Sequence, residues 1–335
     1  MNILLTGGLG YLGSHLSIEL LLAGHKVLII DNLSNSNIGI LSKIKKITKK
    51  NIFFKQIDLL DKKKLINFFR NKKINLVIHL AGSKSVEESE NNLIKYYNNN
   101  IVSSLNLLDV MNKNNVKNII FSSSATVYGY PEKVPIKESH IKKPNNTYGF
   151  TKSIIEDLIF HMEKKKLLNY VVLRYFNPVG FHNSGLISDE SKGIHNNLFP
   201  YIFQLIKGKF NFLKIYGNNY NTRDGTAARD YIHIEDLVNA HIVSMNLFKE
   251  RKKISFVFNI GTGSSTTVLE VVNSIKKYCN IHIKYKFFPR RQGDVAETYN
   301  DISLASKKLK WQSKKTIKDI CLSLTNLLKK KKDIK

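Results

Sequence analysis

The chain has 335 residues, 42% of them hydrophobic, with 53 Lys and Arg against 26 Asp and Glu and a formal charge of +27. That is enough apolar residue for one large or two modest globular domains, and it excludes a disordered chain; no apolar run reaches the ~20 residues of a bilayer-spanning helix, Met1 leads into Ile3-Leu4-Leu5 without a basic leader, and the two cysteines, Cys279 and Cys321, make neither a disulfide framework nor a CxxC site, so a cytoplasmic protein with no membrane contact is expected. Only seven of the 53 cations are Arg, and the lysines are scattered, without interleaved aromatics. A surplus of Lys, Asn and Ile of this kind is what AT-rich coding imposes, and no specific nucleic-acid partner is expected from it.

Short, continuous apolar runs alternate with amphipathic stretches through the first half of the chain. Strand 2–6 runs into Thr6-Gly7-Gly8-Leu9-Gly10-Tyr11-Leu12-Gly13, which opens a helix over 12–23. Strand 26–30 is followed by Asp31-Asn32, and strand 52–57 by Asp58-Leu59 and a helix over 62–70. Strand 75–80 ends in Leu80-Ala81-Gly82, with Lys84 just beyond, and the helix over 92–112 carries Asn99. Strand 117–122 enters the run Ser122–Ser124, the helix over 148–166 carries Tyr148 and Lys152, and strand 170–175 closes the series. This alternation predicts an α/β, Rossmann-type doubly wound parallel sheet. Beyond residue 177, Gly, Asn and Pro punctuate shorter elements. The expected division is therefore a dinucleotide-binding domain over 1–176 and a smaller C-terminal substrate-binding domain over 177–335, with segments around 236–260 returning to the main sheet.

Gly7, Gly10 and Gly13 follow a strand and precede a helix. In that context the first two allow a tight turn and close approach of the backbone to a pyrophosphate at the helix N-terminus, and the third allows helix and strand to pack closely. Asp31, at the end of the second strand, can accept from ribose hydroxyls and repels a 2′-phosphate, which favours NAD over NADP. Tyr148 and Lys152 stand at i and i+4 on one helix face. An ammonium beside a phenol favours the phenolate, and this is how Tyr becomes a base near neutral pH. The ten His residues show no metal-ligand clustering, and His79 and His233 lie in apolar strings as core residues do; no metal is expected.

These residues together resemble the extended short-chain dehydrogenases/reductases. Phe121-Ser-Ser-Ser-Ala-Thr-Val-Tyr-Gly129, Arg174-Tyr-Phe-Asn-Pro-Val-Gly180, Asn196-Asn-Leu-Phe-Pro-Tyr201, Arg229-Asp-Tyr-Ile-His233 and Arg290-Arg-Gln-Gly-Asp294 narrow the resemblance to the UDP-glucose 4-epimerase family, over residues 1 to about 320. What the resemblance implies is an NAD-dependent isomerase of galactose metabolism that interconverts UDP-galactose and UDP-glucose through a 4-keto intermediate, as a homodimer. It implies Ser124, Tyr148 and Lys152 as catalytic residues. It implies NAD contacts from Gly7, Gly10, Tyr11, Leu12, Gly13, Asp31, Asn32, Asp58, Leu59, Leu80, Ala81, Gly82, Lys84, Asn99, Ser124, Tyr148, Lys152 and Phe176. Substrate contacts are implied from Ser124, Tyr148, Asn177, Asn197, Leu198, Arg229, Tyr231, Arg291, Asp294 and Thr298. Uronate epimerases, dehydratases and catalytically silent NAD-binding proteins are the alternatives. The related 4,6-dehydratases carry Asp-Glu after the Ser/Thr, where this chain has Ala125-Thr126. Thr298 stands where epimerases restricted to UDP-glucose carry a bulky Tyr, so the resemblance leaves open an N-acetylhexosamine substrate, or a one-residue shift that puts Tyr299 in that place. Glu87, Ser103 and Ser104 also depart from the family pattern.

Overall fold

The computed structural model describes residues 1–189, 197–250, 253–291 and 293–332. Six strands run through the first half: β1 Asn2–Thr6, β2 Lys26–Asp31, β3 Phe53–Gln56, β4 Leu76–His79, β5 Asn118–Ser124 and β6 Asn169–Tyr175. Shorter strands follow: β7 Asn177–Val179, β8 Leu213–Tyr216, β9 Ala228–Arg229, β10 Tyr231–His233, β11 Ser255–Ile260, β12 Thr266–Thr267, β13 Tyr285–Phe288 and β14 Glu297–Thr298. The main sheet has the order β11-β6-β5-β4-β1-β2-β3, and every pairing from β3 across to β6 is parallel. This is the doubly wound order expected from the alternating pattern. Its direction of winding reverses between β1 and β4, and the carboxyl ends of those two strands flank the crevice where such sheets take ligands. Ile3, Leu4 and Leu5 on β1 have no exposed surface, because helices cover both faces of a parallel sheet.

The first-half helices are α1 Tyr11–Leu22, α2 Ile40–Thr48, α3 Lys62–Phe69, α4 Val86–Asn91, α5 Leu93–Tyr96, α6 Ser103–Lys113 and α7 Thr147–Lys164; α8 Leu198–Ile206, α9 Ile234–Glu250, α10 Val268–Cys279 and α11 Ile317–Lys332 follow. The helix expected over 92–112 is interrupted, with Tyr97–Val102 in a π-helical turn between α5 and α6. Helix α2 has no counterpart in the sequence reading. Its lysines cover the signal, but Ile40, Ile44 and Thr48 recur every four residues and form its buried stripe. Helix α7 is started by Asn146, whose side chain accepts from Gly149 N at 2.8 Å.

The chain forms two compact units. The first comprises the described residues of Met1–Tyr130, Glu138–Tyr175 and Val238–Phe258, and the second those of Pro131–Lys137, Phe176–Leu237 and Asn259–Lys335. In the first unit Leu4, Leu28, Val77, Ile119 and Phe121 of the sheet meet Leu107, Met111, Ile155 and Ile159 of the helices. In the second, Phe199, Ile202, Leu213, Ile215, Tyr231, Val271 and Ile275 form the core. Among the described residues no helix is long and apolar enough to cross a membrane.

Candidate active site

The turn after β1 is shaped by what its glycines leave out. Gly7 has φ +68°, donates its amide to Ile30 O at 2.8 Å, and lies so near the end of β4 that a Cβ would fall 2.9 Å from Ala81 Cα. A Cβ on Gly13 would stand 2.2 Å from Gly7 O, so α1 packs directly on the turn. Side chains at either position would collide with this backbone and force apart a tight turn, a cradle that lies at the sheet's switch point and opens on a helix N-terminus, the arrangement that receives a pyrophosphate. Asp31 is 8% exposed and braces this cradle. It accepts from Leu9 N at 3.0 Å, Leu33 N at 2.9 Å and Ser36 Oγ at 2.8 Å, leaving part of a carboxylate's roughly four acceptor positions for a ligand.

Asn32 Nδ2 donates to Asp58 Oδ2 at 2.9 Å and Leu60 N to Asp58 Oδ1 at 2.8 Å, which ties the ends of β2 and β3 together beside buried Leu59. Leu80 and Ala81 are half-buried, and Ala81 N donates to Thr6 Oγ1 at 3.3 Å. Leu12 is half-buried, and Lys84 Nζ lies 5.7 Å from the centroid of the Tyr11 ring. Asn99 Nδ2 donates to Ser83 Oγ at 3.2 Å. The neighbouring Asn100, which the sequence reading passes over, is buried in the π-helical turn. It donates to Ser83 O at 3.1 Å and Thr151 Oγ1 at 2.9 Å and accepts from Ser83 N at 2.7 Å. It thereby couples the loop after β4 to α7, and π-turns commonly mark functional sites. Ser104 Oγ meets His79 Nε2 at 2.8 Å and Thr6 Oγ1 meets His79 Nδ1 at 2.8 Å; burial lowers the His79 pKa to about 3, so this is a neutral core histidine.

Ser124 ends β5, and Tyr148 and Lys152 project from one face of α7. Thr126 donates to Ser124 Oγ from its amide at 3.2 Å and its hydroxyl at 3.0 Å, and Ser124 favours the anionic form of the Tyr148 phenol. Lys152 is 4% exposed; its Nζ donates to Ser122 O at 2.8 Å and lies 5.8 Å from the centroid of the Tyr148 ring. The geometry is that of a phenol between a hydroxyl and an ammonium. The expected electrostatics need correcting, however. Burial outweighs the Ser124 hydrogen bond and pushes the Tyr148 phenol up to about 12, and burial, partly opposed by Glu156, brings Lys152 down to about 8. Desolvation disfavours a phenolate and an ammonium alike, and here it sets the direction of both shifts.

Beneath this face lies a network that sequence reasoning missed. Glu156, fully buried four residues after Lys152, accepts from Arg174 Nε at 2.9 Å, Arg174 Nη2 at 2.6 Å and Ser123 Oγ at 2.5 Å. Arg174 Nη1 donates to Tyr128 OH at 2.8 Å. A bidentate pair of this kind fixes α7 against β5 and β6 and so sets where Tyr148 stands.

Phe176 and all the candidates that follow it belong to the second unit. Phe176 is buried and donates its amide to Ile260 O at 3.1 Å. Asn177, exposed, pairs with the 9%-exposed Tyr231 in the parallel β7–β10 ribbon. Burial pushes the Tyr231 phenol to about 12. Asn197 precedes α8, whose first residue, Leu198, packs on the second core; Asn196 lies outside the described residues. Arg229 donates to Val295 O at 2.8 Å and approaches Asp294 Oδ1 at 3.5 Å, while the Arg291 guanidinium lies 3.9 Å over the Tyr216 ring. Thr298 is half-buried on β14, in register with Arg229.

A doubly wound sheet with a glycine cradle at its switch point and a Ser–Tyr–Lys cluster at the end of β5 defines an extended short-chain dehydrogenase/reductase. Comparison with known proteins narrows the class. A family model described as GDP-mannose 4,6 dehydratase matches residues 4–324. The chain is 44% identical over 321 residues to UDP-glucose 4-epimerase of Dictyostelium discoideum, covering 96% of this chain and 93% of that one. The solved UDP-glucose 4-epimerase of Stenotrophomonas maltophila, with bound NAD and formylated UDP-arabinopyranose, superposes with TM-score 0.96 at 35% identity and 100% coverage of both chains. That of Bifidobacterium longum, in complex with NAD+ and UDP, gives TM-score 0.93 at 40% identity and 99% coverage of both. The chain belongs to the family that this model describes and, within it, to the UDP-glucose 4-epimerases.

Proposed function

We propose that the protein interconverts UDP-galactose and UDP-glucose with NAD held at the glycine cradle. The observation that carries this reading is the Ser124–Tyr148–Lys152 cluster on a sheet whose switch point is shaped for a dinucleotide. The backbone of Gly7, Gly10, Tyr11, Leu12 and Gly13 would face the pyrophosphate, Asp31 and Asn32 the adenosine ribose, and Asp58 and Leu59 the adenine. Leu80, Ala81, Gly82, Lys84, Asn99 and Phe176 would complete the cofactor's surroundings. Bound NAD supplies the hydride acceptor that later returns the hydride, and in its oxidised form a positive charge that favours the phenolate. Tyr148 takes the proton of the sugar 4-hydroxyl and gives it back on reduction, Ser124 bonds the reacting oxygen, and Lys152 holds the phenolate and a ribose hydroxyl. Arg229 and Arg291 would grip the diphosphate, with Asn177, Asn197, Leu198, Tyr231 and Asp294 about the nucleotide and sugar.

Elimination of water is disfavoured because Ala125 and Thr126 occupy the positions of the dehydratase acid and base, and Thr126 is spent on Ser124. Half-buried Thr298 favours acceptance of N-acetylhexosamines as well. No turnover of UDP-N-acetylglucosamine by protein active on UDP-galactose refutes that point. A homodimer in the cytoplasm is part of the same proposal. Leu93, Ile94, Val102, Leu105 and Phe150, on α5, the π-helical turn, α6 and α7, are exposed, Ile94 by 66%, and a second copy would cover these apolar side chains. For the main reading, Tyr148→Phe should retain NAD and lose at least about a hundredfold in kcat for UDP-galactose. Unchanged turnover overturns it.

A further inference from the structure

Tyr148 is the second residue of α7, so it stands in the turn of that helix whose amides have no partner inside it. Helix ends fray, and a phenol carried on a first turn keeps its place only if something outside the helix holds the backbone. Here all four amides of that turn are met. Gly149 N donates to Asn146 Oδ1 at 2.8 Å and Phe150 N to Asn146 O at 3.0 Å, which is the helix's own cap. The first two amides are met from another element, α4. Thr147 N donates to Glu90 Oε1 at 2.7 Å, and Tyr148 N donates to Ser89 Oγ at 3.1 Å.

Ser89 has no exposed surface, and its one hydroxyl proton is directed at Val86 O, 2.6 Å away, with Glu90 Oε1 the more distant acceptor at 3.4 Å. A proton committed to α4 leaves a lone pair turned to the Tyr148 amide. Helix α4 is itself tied to the cofactor side of the sheet. Ala81 N is bonded to Thr6 Oγ1, and Ser83 is held by Asn100 at both its amide and its carbonyl. Ser85 N donates at 3.0 Å to the hydroxyl of buried Tyr96, which donates in turn to Glu88 Oε2 at 3.1 Å. The segment from Leu80 to Glu90 thus begins among the residues assigned to the cofactor and ends on the backbone of Tyr148.

We propose that Ser89 is a positioning residue for the reaction, holding the Tyr148 backbone so that the phenol stays in register with Lys152 one turn further on. This inference rests on Tyr148 as the proton carrier. Ser89 acts through Tyr148 and not on the substrate, so its loss lowers kcat and leaves KM in place.

The test is steady-state kinetics on UDP-galactose for the wild-type protein, Ser89→Ala and Asn146→Ala, with turnover expressed per bound NAD. Ser89→Ala keeps the packing and removes the acceptor. Its kcat should fall about tenfold or more, with KM within about twofold and NAD content equal to wild type. Asn146→Ala removes the cap of the same helix but leaves Tyr148 N its partner. It should lower Tm by at least as much while keeping kcat within about threefold. A Ser89→Ala protein with kcat within twofold of wild type overturns the inference and leaves Tyr148 as the base, which Tyr148→Phe tests separately. Equal loss of kcat in the two variants also overturns it, since that is the mark of a helix merely weakened. So does a Ser89→Ala protein that loses its NAD or its fold, because Ser89 then serves the structure at large. A wild-type protein that does not turn over UDP-galactose overturns the proposed function and this inference with it.

Discussion

Replacing Lys152 by Met should abolish catalysis and stabilise the fold. The ammonium sits almost without exposure, and its pKa falls from 10.5 to about 8. A lysine whose folded pKa is depressed binds its proton less readily in the folded state, so the unfolded chain carries the excess proton between about 8 and 10.5. Stability therefore rises with pH across that window, and the full penalty is present below it. The 10.5-to-8 shift corresponds to about 3 kcal/mol at neutral pH. Met fills a similar volume without a charge and gives up the bond to Ser122 O, which returns about 1 kcal/mol of the gain. The net is about 2 kcal/mol in favour of the variant at pH 7, or roughly 3 °C in Tm for a chain of this size. Thermal unfolding of both proteins, with cofactor content measured and matched, should show the variant's advantage at pH 7 and its disappearance by pH 10.5. A variant less stable than wild type at pH 7, or an advantage that does not change with pH, refutes the claim that this ammonium is held against its own desolvation.

Two further substitutions probe the frame around the site. Gly13→Ala places a methyl 2.2 Å from Gly7 O, where neither α1 nor the turn can yield, and overpacking of this kind costs about 1–3 kcal/mol. Nucleotide released on denaturation and quantified by chromatography should fall well below that of wild type, and equal NAD content would show that the cradle is not where the cofactor lies. Arg174→Ala strands the Glu156 carboxylate with no exposed surface, leaving it the Ser123 hydroxyl and Lys142 Nζ at 3.4 Å. Breaking such a buried pair costs about 3–5 kcal/mol, measurable as a lowered urea midpoint, and a loss under about 1 kcal/mol would mean the pair does not hold α7 in place.

What the sequence exposed and what it hid separate along a physical line. Elements whose apolar period is set by the parallel sheet were readable, because strands buried on both faces must be continuous apolar runs, as in β1 and β5. Gly7, Gly13 and Asp31 were readable because close backbone approach leaves a residue type and a spacing behind. The hidden parts depend on distance through space. Nothing local marks Glu156, since its partners Arg174 and Ser123 come from other elements, and nothing local says that desolvation sets the direction of the Tyr148 and Lys152 shifts. Asn100 hid behind its neighbour Asn99 because a π-turn shifts which residue faces inward, which helical spacing alone does not foresee.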